Sequence, residues 1–259
     1  MSMLALGASR IGYEVKVYFR SPDTVFFTFL FPFVMLGIFS VLPNQGPISS
    51  AAFYLPGMLA AGILLSGVQN LAVDIAGEKS DGTLKRLGGT PLSPLSYFIG
   101  KIGHVLVTAI LQAALLLVFA RFALGVELPG DPEKWMTFTW VFLVGVTTCA
   151  FLGIALAAVP RSGRSATAVV IPIVLVLQFT SGVYFPFGIL PDWIQSIASI
   201  FPLKWLAEGM RSVFLPDSFA SNELTGGWNL AWVAAALLIW LVVGLVLSRL
   251  TFRWIRKDS

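Results

Sequence analysis

From Thr24 to Val73 the chain runs fifty residues without a Lys, Arg, Asp or Glu. Uncharged runs of this kind recur at 24–42, 51–73, 102–120, 135–159, 165–191 and 224–248. Each reaches or exceeds the ~18 residues that make a membrane-spanning helix the natural reading. The first two are parted by LPNQGPISSA, whose prolines, asparagine and glycine predict a tight exposed turn. The pattern therefore predicts an all-α integral membrane protein with six transmembrane helices, at 24–42, 51–73, 102–120, 135–159, 165–185 and 228–248.

Three shorter elements are predicted between and before the spans. Residues 1–23 place Ile11, Val15, Tyr18 and Phe19 at helical spacing beside Arg10, Lys16 and Arg20. They read as an amphipathic interfacial helix, with a short exposed tail as the alternative, and they lack a clear signal-peptide pattern. The segment 74–100 is a charged, glycine-rich island in this apolar chain. Within it Ser80 or Asp81 is placed to cap a short helix starting near Gly82 and stopping at Gly88-Gly89. Leu84 and Leu87 would lie on one side and Lys85 and Arg86 on the other. Those leucines suit either a knob for a socket on another protein or a hairpin dipping into lipid.

Beyond the fifth span, Pro186, Pro191 and Pro202 break the segment 186–215 into short pieces. Asp192 is placed to cap a helix carrying Ile194, Ile197 and Ile200, with Trp193 and Trp205 expected at headgroup depth. A helical hairpin dipping into the outer leaflet is predicted, facing something polar.

Composition agrees with lipid as the solvent. The chain of 259 residues is 57% hydrophobic with a mean hydropathy of +0.85, against roughly 45–50% apolar residues in soluble domains. Charge sets the expected orientation. Thirteen of the seventeen basic residues (Arg10, Lys16, Arg20, Lys79, Lys85, Arg86, Lys101, Arg161, Arg164, Arg249, Arg253, Arg256 and Lys257) share one side. Arg121, Lys134, Lys204 and Arg211 take the other. The positive-inside rule then puts both termini and the island in the cytoplasm. The net charge of +4 is spread along span ends, as anionic lipid headgroups favour, and calls for no nucleic-acid partner.

Several chemistries are excluded by inventory. There is no Walker A pattern and no G-x-G-x-x-G after a strand, so the chain holds ATP by neither device. His104 is the sole histidine and Cys149 the sole cysteine, which excludes histidine- and cysteine-based metal centres, histidine triads and an intrachain disulfide. No catalytic residue, metal site or cofactor is expected. His104 is read as a hydrogen-bonded interfacial residue, with a proton relay as the alternative. The span cores carry no acid or base, which argues against proton or sodium coupling and suits a hydrophobic or amphipathic passenger. Gln69, Asn70, Gln112 and Gln178 are their main polar interruptions. Phe26, Phe29 and Phe33 with Gln69, Asn70 and Gln178 form the candidate cargo path. Lipid-facing bulk for the phenylalanines and hydrogen bonding between helices for the amides are the competing roles. Glu208 and Arg211, at i,i+3 spacing, are expected to pair or to gate an extracellular exit.

The stretch EKSDGTLKRLGGTPLS is similar to the first cytoplasmic loop of type-2 ABC transporter permeases through Glu78, Gly82, Thr83, Leu84, Leu87, Thr90 and Pro91. A downstream series resembles the same family through Ser181, Gly182, Phe185, Pro186, Leu190, Pro191, Phe201, Pro202, Leu203, Glu208, Gly209 and Arg211. The resemblance covers essentially the whole chain, 1–259 as one transmembrane domain, and is strongest to permeases of the daunorubicin-exporter type.

The resemblance implies a homodimer docking two copies of a separate ATP-binding subunit, which holds the ATP and magnesium and does the hydrolysis, leaving this chain non-enzymatic. Residues 1–23 would be an elbow helix, the island a coupling helix, and 186–215 extracellular re-entrant helices. The ATPase contacts would be Glu78, Gly82, Thr83, Leu84, Lys85, Arg86, Leu87, Thr90 and Pro91, with Leu84 and Leu87 buried against the partner. Efflux of drugs or other hydrophobic or amphipathic molecules from a bacterial cell is the expected function. Export of lipid or lipid-linked glycan, and a non-transporting scaffold, are the alternatives. Small-residue faces such as Ala109 and Ala113 are read as mild support for self-association.

Overall fold

The computed structural model describes residues 3–44, 46–160, 162–224 and 226–252; Arg161, Arg253, Arg256 and Lys257 of the charge pattern lie outside them. Six helices are long and apolar enough to cross a membrane: Pro22–Ser40, Ser50–Ser80, Pro94–Phe122, Pro132–Leu156, Gly163–Thr180 and Leu230–Thr251, the first to sixth spans. No strand occurs among the described residues. The second span runs on past Val73 and the third begins well before Ile102. Charge patterning truncates both, because it stops at the first acid or base, whereas these helix ends hold Asp74, Glu78 and Lys101 in ion pairs. Helix thus claims most of the predicted 74–100 loop; the connection is 81–93, carrying the short helix Thr83–Gly88.

The second span is the hub. Its apolar window is 89% buried within the chain, against 17% for the first and sixth spans, which the rest of the chain covers least. Ala109 and Ala113 pack against Met58, Leu59 and Ile63 of this hub, at 2% and 8% exposure. Their small side chains therefore serve packing inside the chain and offer no face to a second copy. Midway, the second span widens into a π-helical turn, Leu65–Asn70, a distortion that tends to mark functional positions. The turn lies backbone to backbone against the fourth span, where a Cβ on Gly153 would overlap the Gly67 carbonyl oxygen. Gly153→Ala is expected to destabilise the chain toward the upper end of roughly 1–3 kcal/mol, because backbone cannot swing aside as a side chain can. Thermal unfolding in mild detergent checks this, and an unchanged midpoint counts against the packing.

At one end of the bundle, the helix Met3–Tyr18 lies along the third span. Its buried side carries Glu14 and Tyr18, more deeply than the predicted apolar pair Ile11 and Val15. At the other end, the helices Asp192–Ala198 and Pro202–Phe214 and the turns Phe187–Ile189 and Asp217–Asn222 form a cap. Trp193 is exposed on the chain's surface, whereas Trp205 is buried and its indole N–H donates to the Ser199 carbonyl at 2.7 Å. Residues 202–213 are buried throughout, wedged among the second, fourth and sixth spans. An amphipathic helix tolerates this because its charged side is closed by ion pairs instead of by water or headgroups.

Candidate functional site

Lys101 is fully buried near the start of the third span. An ammonium has three N–H donors, and here each meets a carboxylate: Glu14 Oε2 at 2.8 Å, Asp74 Oδ2 at 2.6 Å and Glu78 Oε1 at 2.8 Å. The Tyr97 hydroxyl donates to Glu78 Oε2 at 2.6 Å, and Arg10 Nε donates to Glu14 Oε1 at 2.7 Å. The network binds the N-terminal helix to the second and third spans. Glu78, read from sequence as a partner contact, is therefore turned inward. The three acids lie within 4.8 Å of one another, close enough to hold a metal ion, but the Lys101 ammonium occupies their centre. Sequence reasoning missed this unit. Its traces were Asp74 and Glu78 at i,i+4 on one helix face and a lone lysine inside FIGKIGHV, since a buried lysine requires carboxylates.

Directly after the second span, Gly82 turns the chain at φ +81°, and Asp81 Oδ1 accepts the Thr83 N–H at 2.8 Å. Hydrogen bonding to Thr83 holds the Asp81 carboxyl below its usual range. Leu84 is 3% exposed within the chain's own core and Leu87 is half-buried against it. The leucines thus fasten the loop helix to the bundle instead of projecting from it, and the reading of Leu84 as a partner contact is corrected. The outward surface is Lys85, Arg86, the glycines, Thr90 and Pro91, with Gly82 and Thr83 partly covered.

Between the first, second and fifth spans lies a groove of about 440 Å³, lined by Phe27, Phe31, Leu65, Gln69, Asn70 and Gln178 among others. The three amides expected on a cargo path are therefore assembled there. The three phenylalanines are not. Phe26 is 57% exposed, the Phe29 ring lies 6.2 Å from that of Phe19, and Phe33 packs on Phe119 of the third span at 5.2 Å. Residues 26, 29 and 33 share one helix face, and Phe27 and Phe31, at i,i+4, occupy another. The Asn70 amide donates to Thr28 Oγ1 at 2.7 Å. Gln178 accepts from the Tyr184 hydroxyl at 2.7 Å, while its buried Nε2 has no partner. A chamber of about 160 Å³ adjoins the groove, sharing Thr24, Asn70 and Val73 with it. His104 lines this chamber at 6% exposure with both ring nitrogens unpartnered, so it is not the hydrogen-bonded residue the sequence suggested.

In the cap, the expected Glu208–Arg211 pair does not form. Lys204, one helical turn before Glu208, bonds it instead. Arg211 is held by Glu223 through Nε at 2.5 Å and Nη2 at 3.0 Å, and its Nη1 donates to the Gly182 carbonyl at 3.1 Å. The guanidinium fork suits a bidentate carboxylate from the following turn better than one on its own helix. Burial pushes the Glu208 carboxyl above its usual range, against the pull of Lys204. Arg211→Met is expected to cost about 3 kcal/mol by stranding Glu223, and Arg211→Met with Glu223→Leu should recover at least half. Chemical unfolding of the three proteins decides it; additive losses count against the pair.

Residues 40–250 match the family model described as ABC-2 family transporter protein. The chain is 26% identical over 251 residues to ycf38 of Cyanophora paradoxa, which carries the name of a transport permease, covering 92% of this chain and 84% of that one. It is 25% identical over 180 residues to YbhR of Escherichia coli K12, whose name is probable multidrug ABC transporter permease, covering 70% and 47%. It is 26% identical over 167 residues to ABC transporter G family member 20 of Dictyostelium discoideum, covering 63% and 22%. The chain thus spans most of the first relative and about half or less of the other two. A family match across most of the chain, on six apolar helices of an all-α fold, places it: this protein belongs to the ABC-2 family as a type-2 ABC permease, a multi-pass transmembrane subunit of an ABC transporter whose family implies an ATP-binding partner.

Proposed function

We propose that this permease belongs to an ATP-driven exporter of hydrophobic or amphipathic small molecules, drugs among them, in a bacterial plasma membrane. The observation that carries the reading is the continuity of the second span. Leu65, Gln69 and Asn70 form one wall of the groove, and the same helical run reaches Ser80, where the loop helix follows. A displacement of the loop helix is thereby passed along one rod to the cargo wall, as rigid-body switching requires. The Lys101 network braces that rod at its end. The groove's size falls within the ~300–1,000 Å³ common for drug-sized ligands, and its walls are mainly apolar. YbhR carries a multidrug name, which agrees with such a cavity.

In this reading a separate subunit holds ATP and magnesium and docks on Lys85, Arg86, Thr90 and Pro91. Two copies of the permease pair, each with one such subunit. The loop helix and both termini face the cytoplasm, and the cap faces outside. Isolation from native membranes in mild detergent, with partner masses and ATPase activity recorded, tests the whole. A stoichiometric P-loop ATPase stimulated by a lipophilic compound is expected. Intact, folded permease emerging without any ATPase would sink the proposal and leave a membrane scaffold.

A further inference from the structure

We propose that the chamber beside the groove is a subsite for a protonated amine, so that the preferred cargo is a cationic amphiphile with its head in the chamber and its apolar body in the groove. This rests on reading the groove as a cargo site. The two spaces adjoin, with Thr24, Asn70 and Val73 lining both. Glu14 and Asp74 line the chamber and Asp23 lines the groove, whereas among the described residues no Lys or Arg lines either. Arg10 and Lys101 are bound to the chamber's own acids, Glu14 and Asp74, and Lys16 and Arg20 beside the lining residues are exposed. Within the network three carboxyl groups, Glu14, Asp74 and Glu78, face two cations, Arg10 and Lys101.

His104 supplies an independent observation. It lines the chamber, is 6% exposed and has no partner for either ring nitrogen. A buried polar group in that condition is costly until something bonds it. Its ring lies 4.8 Å from that of Tyr18. Asp74 spends Oδ2 on Lys101 and remains 44% exposed. An ammonium head can donate to the remaining Asp74 oxygen and to a His104 nitrogen while lying against the Tyr18 ring, an attraction that anionic or neutral heads lack. An anionic head would meet Glu14 and Asp74 instead. A neutral hydroxyl would satisfy His104 but gain nothing from the acids.

Because His104 is the sole histidine, carbon-13 at histidine Cε1 yields a single resonance that reports on the chamber. The full chain, purified without a polyhistidine tag into phosphatidylcholine nanodiscs, is titrated with dodecylamine and with dodecanol at equal membrane mole fraction. Dodecylamine is expected to shift the resonance saturably, and dodecanol to do so about tenfold more weakly. Asp74→Asn should weaken the dodecylamine response about tenfold. Because Asp74 also holds Lys101, Asn70→Leu is run beside it; this leaves the ion network intact and should narrow the chamber enough to weaken the response by a similar factor. No shift, an equal shift with dodecanol, or an affinity unchanged in the folded variants overturns the subsite. The readout needs no ATPase, so a negative result leaves the export reading to be judged by co-isolation.

Discussion

Lys101→Met should cost the folded chain about 3–5 kcal/mol, the range found when one member of a buried ion network is removed. The expected value lies at the upper end, because one ammonium neutralises three carboxylates at once. Glu14 and Glu78 are 4% and 14% exposed and would keep like charges together without a counterion. Asp74, at 44% exposure, is partly screened by solvent and contributes less. The damage should be directional as well as large. The network is the main polar tie between the N-terminal helix and the spans, so limited trypsin digestion should cut after Arg10 or Lys16 in the variant before the bundle unfolds. Adding Glu14→Gln and Glu78→Gln should restore much of the loss. A variant as stable and as protease-resistant as the parent would mean that the lysine is not the keystone described above.

Reversing two charges on the loop helix, Lys85→Glu with Arg86→Glu, should abolish co-isolation of the ATP-binding subunit and leave the permease folded. Both side chains are exposed, so stability should move by less than ~0.5 kcal/mol. Placing like charges across an interface costs several kcal/mol, which predicts at least about a hundredfold loss of affinity. The contrast with the leucines makes the experiment interpretable. Leu84→Asp would bury a carboxylate in the chain's own core, and Leu87→Asp would disturb the half-buried edge of that core. Either could lose export by loosening the loop helix without informing on the partner. Full ATPase co-isolation by the double charge reversal would move the docking surface elsewhere on the chain.

The six spans were legible because a long uncharged run has few alternatives to a membrane helix, and the loop helix because Gly82 and Gly88-Gly89 punctuate it locally. Partnerships across the fold were less legible. Gln69, Asn70 and Gln178 were recognised as polar interruptions and do meet in one groove, yet Phe26, Phe29 and Phe33 were chosen from a helix whose apolar residues surround it. No moment of hydrophobicity distinguishes a groove-facing phenylalanine from a lipid-facing one when both neighbours are apolar. Glu208 was matched to Arg211 by spacing alone, and a competing carboxylate twelve residues on, Glu223, won by geometry.

Hydropathy, punctuation and charge bias are properties of short stretches, so element type, span number and family resemblance could be read along the line of the chain. Which charges meet is a property of three segments brought together. Glu14, Asp74 and Lys101 lie far apart along the chain, and only folding brings them together around a fully buried ammonium. The same holds for Leu84, whose exposure depends on what the bundle places beneath it, and for His104, whose vacancy of partners exists only because the N-terminal helix closes over it. Burial raises the stakes of every polar contact, and burial is settled only when the helices pack.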